Sequence, residues 1–194
     1  MKNEIKMSET VILIDAAFLD FVSNDLKKHF EWMLNRPLQK IDLVSLVSFL
    51  ALEAGLKREG NQIQLIFIYD DESVKLRHCF PDNLKEDLSD LTFISPLGEV
   101  DAYSFQPEGL ATLEDLYIES LKVIADTKEV KNLVVISFNE MYGDKVEDIL
   151  KKTNEKNIVQ FRMDIIEEPK LPYCCKSLAF PLMHALGIKG EELD

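Results

Sequence analysis

Residues 10–35, TVILIDAAFLDFVSNDLKKHFEWMLN, decide the fold class. Thr10–Asp15 is apolar and rich in β-branched residues up to a terminal acid, the pattern of a strand covered on both faces. From Phe18 the residues Phe18, Phe21, Val22, Leu26, Phe30, Met33 and Leu34 recur at three- and four-residue spacings. That period predicts a helix from about Ala17 to Asn35, stopped ahead of Pro37.

The same alternation continues along the chain. Ile63–Asp71 (IQLIFIYDD), Asn132–Glu140 (NLVVISFNE) and Ile158–Met163 read as further strands. Helices are expected at Ile41–Ala54, with Gly55 as its C′ residue, from Thr112, and across Asp144–Lys152. Thr112 and Asp115 stand at capping-box spacing. The 41–54 helix is apolar nearly all round, so it is packed on more than one side or faces a partner or a membrane. An acidic helical turn is expected near Asn83–Asp87. Leu91–Ser95 and Glu99–Phe105, joined by Pro96-Leu97-Gly98, read as a hairpin or as two edge strands.

Strands alternating with helices at this spacing predict an α/β fold with three layers, in which a mostly parallel central sheet carries helices on both faces. Residues 1–168 form one such domain. Residues 169–194 are expected to form an apolar tail, in which Tyr173–Ile188 is a strand or short helix capping the sheet or a segment docked on a second subunit.

Composition narrows the function classes. The chain has 194 residues and is 46% hydrophobic, enough for one substantial core. Its net charge of −13 and pI near 4.7 oppose phosphate backbones, and the tightest basic pairs, Lys27-Lys28 and Lys151-Lys152, lie in amphipathic helical patterns. No apolar window reaches the ~18 residues of a spanning helix, and the amino terminus lacks a secretory pattern. A cytoplasmic protein is expected, with Cys79, Cys174 and Cys175 as reduced thiols. Ser137 lacks the glycines of a nucleophile elbow, His29, His78 and His184 are far apart, and there is no glycine-rich phosphate loop.

Three of the strand-like runs end on acids or amides, and in a parallel sheet those ends share the edge where ligands bind. Asp15 is a helix cap or a metal ligand. Asp70 and Asp71 form a like-charged pair or a solvated turn. Asp115 and Glu119 share a helix face and either converge on a cation or belong to a solvated stripe. Gln106-Pro107-Glu108-Gly109 is a turn or an anion site at the following helix. Asn139 and Tyr142 belong to the loop after the third strand.

Asp15, the capped helix with Asp115 and Glu119, and Ser137-Phe138-Asn139-Glu140-Met141-Tyr142 together resemble the PIN-like fold, particularly its NYN branch, over roughly residues 10–163. That resemblance implies acids gathered at the sheet edge to hold Mg²⁺ or Mn²⁺ for RNA hydrolysis. The chain departs from the pattern where Ala16-Ala17-Phe18-Leu19 follows the leading acid, and where Asn139 and Met141 stand in place of acids. The whole chain also resembles a single-domain family of Bacteroidetes with no known activity. It does so through Leu13–Phe18, Phe105–Gly109 and Phe138–Asp144.

Two functions follow. The first is a non-catalytic binding or scaffold module, self-associating through its tail, without a cofactor, and working through loops around Asp70, Gln106, Glu108, Asn139 and Tyr142. The alternative is a Mg²⁺- or Mn²⁺-dependent nuclease or phosphoesterase using Asp15, Asp115, Glu119 and Glu140, with Asp15 and Asp115 as metal ligands. Nucleic acid is a partner only under the alternative, and a membrane under neither.

Overall fold

In the computed structural model, which describes residues 6–57, 59–164 and 171–193, strand β1 (Thr10–Asp15) passes directly into helix α1 (Ala16–Leu34). Asp15 makes the switch abrupt: its backbone is still extended while its side chain caps the helix. Asn35 ends α1 in the left-handed region at φ 50°, a conformation asparagine tolerates better than most residues. Strand β2 (Ile41–Asp42) and helix α2 (Leu43–Glu53) follow. The expected 41–54 helix therefore starts two residues late, because Ile41 and Asp42 pair with strand β4 (Cys79–Phe80), which follows β3 (Asn61–Ile68) in the chain. The Asp42 carboxylate then caps α2 by accepting from the Ser45 amide.

Strands β5 (Leu91–Ser95) and β6 (Gly98–Phe105) form an antiparallel hairpin. Helix α3 (Leu113–Asp126) opens on the Thr112–Asp115 capping box. Next come β7 (Asn132–Ile136), α4 (Asn139–Lys152), β8 (Asn157–Arg162), β9 (Cys174–Ser177), α5 (Ala179–Ala185) and a 3₁₀ turn at Gly190–Glu192. The strand-like run 132–140 thus stops at Ile136, and its last residues open a helix. The acidic segment near Asn83 closes only a single turn, with the Asp87 amide donating to the Asn83 carbonyl.

The seven-stranded sheet has the order β5-β6-β3-β1-β7-β8-β9, and every neighbouring pair except β5 with β6 is parallel. Counted along the chain, the six parallel strands lie 3-2-1-4-5-6, so winding reverses between β1 and β7. This is the three-layer α/β architecture that the strand and helix alternation predicts. Strand β1 is buried throughout. Ile12 and Ile14 face the layer built by α1, α2 and α5, while Val11 and Leu13 face α3 and α4. Residues after 170 are part of this frame: β9 extends the sheet beside β8, and Leu178, Leu182, Leu186 and Ile188 join the core under α1 and α2. Among the described residues, no helix is long and apolar enough to cross a membrane.

Gly98 opens β6 at φ +143°, opposite Asn61 of β3, and a Cβ there would lie 2.0 Å from the Asn61 carbonyl oxygen. A backbone atom cannot yield as a side-chain tip does. Gly98→Ala is expected to lower stability by roughly 3 kcal/mol, read as a lower urea midpoint, with loss of amide protection concentrated in the β5–β6 hairpin.

Candidate functional site

The carboxyl ends of β1 and β7 flank the point where the winding reverses, the usual ligand crevice of such sheets. Here it is filled by the chain's own side chains. Asp15 is only 1% exposed. One carboxylate oxygen accepts from the Phe18 amide at 2.9 Å, and the other accepts from the Tyr142 hydroxyl in a short hydrogen bond. Burial pushes the Asp15 carboxyl above its ordinary range; the Tyr142 and amide hydrogen bonds oppose that shift, and the nearby Asp70 charge adds to it. Burial together with the Asp15 charge also raises Tyr142, which stays a neutral donor.

Helix α4 is shaped to deliver that hydroxyl. Tyr142 has non-helical backbone angles (φ −141°, ψ 24°), so α4 kinks at this residue. Its ring lies 5.4 Å from that of the fully buried Tyr117. The Tyr117 hydroxyl donates to the Ile136 carbonyl at 2.9 Å and leans on the Leu13 carbonyl at 3.4 Å, holding the ends of β7 and β1 together. On the other side of the sheet Phe18 packs on Phe138 at 5.1 Å, and Phe138 stacks on the half-exposed Phe21 at 6.1 Å.

A second polar chain runs outward from β7. Asn139 accepts from the Ser137 hydroxyl at 2.9 Å and from the Gln160 amide at 3.1 Å. Gln160, buried, accepts in turn from the Tyr173 hydroxyl at 3.4 Å. Ser137 is itself fully buried, so its hydroxyl orients Asn139 and is shielded from solvent.

The other sequence candidates lie apart from this crevice. The Asp70 carboxylate accepts from the Glu72 amide, the Ser73 amide and the Ser73 hydroxyl, which closes its own turn. Gln106 donates to Asp71. Asp115 accepts from the Thr112 amide and hydroxyl, and the amide bond is the main reason its carboxyl is held below the ordinary range. Glu119 is exposed on α3 beside Phe105 and Val123, Glu108 is exposed before α3, and Glu140 is exposed in the first turn of α4. Among the described residues, no three His, Cys, Asp or Glu side chains gather as metal ligands would. Cys79 is buried, and burial pushes its thiol up to about 12, so it stays protonated.

Open space at the carboxyl edge lies one strand over. A cleft of about 430 Å³ separates α1 from the segment after β3 and is lined by Phe21, Asn24, Lys28, Asp70, Arg77 and His78, among others. Asp20 anchors its far wall by accepting from the Arg77 amide at 2.7 Å and pairing with its guanidinium at 3.7 Å. His78 Nε2 lies 3.1 Å from the Asn24 carbonyl oxygen, which makes Nε2 the donor. Burial holds the imidazole below its ordinary range, so it is neutral at pH 7. Sequence reading missed Asn24, Lys28, Arg77 and His78 because they meet only through the path of the chain after β3. The Ser73–His78 stretch itself has no period.

A family profile described as a family of unknown function, DUF6621, matches residues 4–193, and the chain belongs to that family. No curated protein and no solved structure matches it.

Because burial raises Asp15 above its unfolded value of 3.8, the folded chain holds that proton more tightly than the unfolded chain. The stability this confers is complete below the unfolded value and is lost as pH rises through the folded one. Asp15→Asn keeps an acceptor for the Phe18 amide and has no such titration. Its stability relative to the wild type is expected to rise between about pH 4 and pH 7 in urea melts. Tyr142→Phe leaves the carboxylate short of a donor and is expected to cost roughly 2 kcal/mol at pH 7, and less at pH 4.

Proposed function

We propose that this member of the family is a non-catalytic recognition module on a PIN-like scaffold, with the cleft between α1 and the 69–78 segment as its ligand site. The carrying observation is the state of Asp15. A hard divalent cation needs several oxygen ligands presented together. The leading acid of the PIN-like pattern is instead walled in, and each of its oxygens already accepts a hydrogen bond from the chain. The Asn139 position, where an acid would stand, is tied to Ser137 and Gln160.

The cleft suits a small ligand with charges of both signs. Its volume falls in the range of small-molecule sites, ~300–1,000 Å³. Lys28 supplies positive charge, Glu72 supplies negative charge, the Arg77 guanidinium is paired with Asp20 in the wall, and Phe21 gives an exposed apolar wall. Asp20 and Asp70 are already engaged within the walls. Donors and acceptors of both signs around one aromatic wall match a zwitterion such as a di- or tripeptide.

A ¹⁵N NMR titration with the tripeptide Ala-Phe-Ala tests this reading. The expected shifts are centred on the amides of Phe21, Asn24, Lys28 and Arg77, with binding weakened about tenfold when either peptide end is capped. Millimolar Mn²⁺ is expected to leave the melting temperature unchanged, since an ion that binds the folded state would raise it by mass action. A rise that Asp15→Asn abolishes, together with cleavage of single-stranded RNA, would replace this reading with metal-dependent hydrolysis.

A further inference from the structure

The second helical layer stops short of one end of the sheet. Its core cluster takes residues from β1, β3, β7 and β8 and none from β5 or β6. On the opposite face the same hairpin is well covered, with Val100, Ala102 and Leu97 buried and Phe93 packed against them. Parallel strands normally need cover on both faces, so the face of β5 and β6 left bare by the described residues stands out.

The pleat identifies what it presents. Glu99, Asp101, Tyr103 and Phe105 alternate with the buried residues of β6, and Ile94 and Thr92 of β5 pair with Glu99 and Asp101. The Thr92 hydroxyl donates to Asp101 at 2.6 Å across that face. Ile94 is 73% exposed, and the Tyr103 and Phe105 rings stack at 6.5 Å. Where the face meets α3 there is a pocket of about 150 Å³, lined by Met7, Ile66, Phe105, Glu119, Val123 and Ile124. It is mostly apolar, its one charged lining residue is Glu119, and Val123 at its rim is 53% exposed.

We propose that this face docks a basic amphipathic helix of another protein, which lies across β5 and β6 as the missing part of the second layer and sets one apolar side chain into the pocket beside Phe105 and Val123. Charge selects the occupant. Glu99 and Asp101 lie on one side of the Tyr103–Phe105 pair and Glu119 borders the pocket on the other, so the partner carries Lys or Arg at both ends of its own apolar stripe. A second copy docked by two-fold symmetry would set these acids against one another, which disfavours it. The bare face of one strand of five residues and one of eight measures only ~200 Å², well below the ~800 Å² per partner of a standard interface. The contact is therefore a transient, micromolar one. It touches none of the cleft-lining residues, which lie on the other side of the sheet.

The probe is a labelled helical peptide of about 18 residues, long enough to span β6, with a leucine stripe flanked by lysines. It is titrated into the full chain by fluorescence anisotropy. Binding is expected at about 10 μM in low salt, with no binding by the matching leucine–glutamate peptide. Ile94→Ser and the pair Glu99→Lys with Asp101→Lys are each expected to weaken it about tenfold. Asp25→Lys with Glu191→Lys, an equal charge reversal on the opposite layer, is expected to leave it unchanged. All these side chains are at least partly exposed, so folding is checked by unchanged urea midpoints, and Val123→Asp repeats the test from α3 should the hairpin variants unfold. An equal loss from the distant charge reversal would reduce the effect to bulk charge and overturn the proposal. So would a full-chain dimer in sedimentation that Ile94→Ser dissociates, since a second copy would then own the face.

Discussion

The Asp15 carboxylate joins the two helical layers where the sheet changes its direction of winding. One oxygen is held by an amide of α1, which belongs to the first layer, and the other by a hydroxyl of α4, which belongs to the second. An ionised carboxylate buried without partners costs far more than one hydrogen bond returns. Both contacts must therefore be kept, and the geometry of both helices follows. Helix α1 has to begin at once after β1 to bring the Phe18 amide within reach. Helix α4 has to break its regular path at Tyr142 to send a ring back across the end of β7.

Closing the crevice in this way moves chemistry elsewhere. In an open doubly wound sheet the reversal point leaves room for a ligand beside the helix amino ends. Here Tyr117 and Tyr142 fill it on one side, and Phe18, Phe138 and Phe21 fill it on the other. Two of the places that stay open lie where the layers run out. One such place is the cleft beside α1, whose wall is an irregular segment held by Asp20, Asn24 and Asp70. The other is the hairpin face that α3 does not reach. The first is small, concave and of mixed charge, and the second is flat, apolar and flanked by acids, so the two suit different kinds of occupant.

Elements governed by local rules were legible in the sequence. The bounds of β1, the period of α1 and the Thr112–Asp115 box each follow from residues within a few positions of one another. The 91–105 hairpin was legible as one of two alternatives, since Pro96-Leu97-Gly98 marks a turn without fixing which strands pair. Strand β9 was legible only as part of a strand-or-short-helix alternative for Tyr173–Ile188, because Cys174-Cys175-Lys176-Ser177 has no strand-like composition and is extended only by its ladder to β8, with the short helix α5 following it. The start of α4 was misplaced for a related reason: Asn139 and Glu140 continue the polar ending seen at the other strands, and no side chain caps the helix. The Asp15 partner lies 127 positions away in Tyr142, and the Arg77–Asp20 contact spans 57. Neither leaves a mark in local pattern. Asp15 itself was legible as a cap or a ligand, and only burial separates the two roles.

The two open surfaces meet at one piece of backbone. The ladder between β3 and β6 ends at Ile68 opposite Phe105, and the Tyr69 amide donates to the Phe105 carbonyl at 3.0 Å. One residue further, Gln106 bonds to Asp71. Asp70, between them, holds the turn that shapes the cleft wall, while the Phe105 ring lines the apolar pocket on the other face. Successive residues of an extended strand point to opposite faces, so one short ladder end serves both surfaces without either displacing the other. A group that orders Phe105 from one side and a ligand that orders the Asp70 turn from the other act on the same few hydrogen bonds. Their binding free energies are then coupled only as far as each tightens that shared ladder.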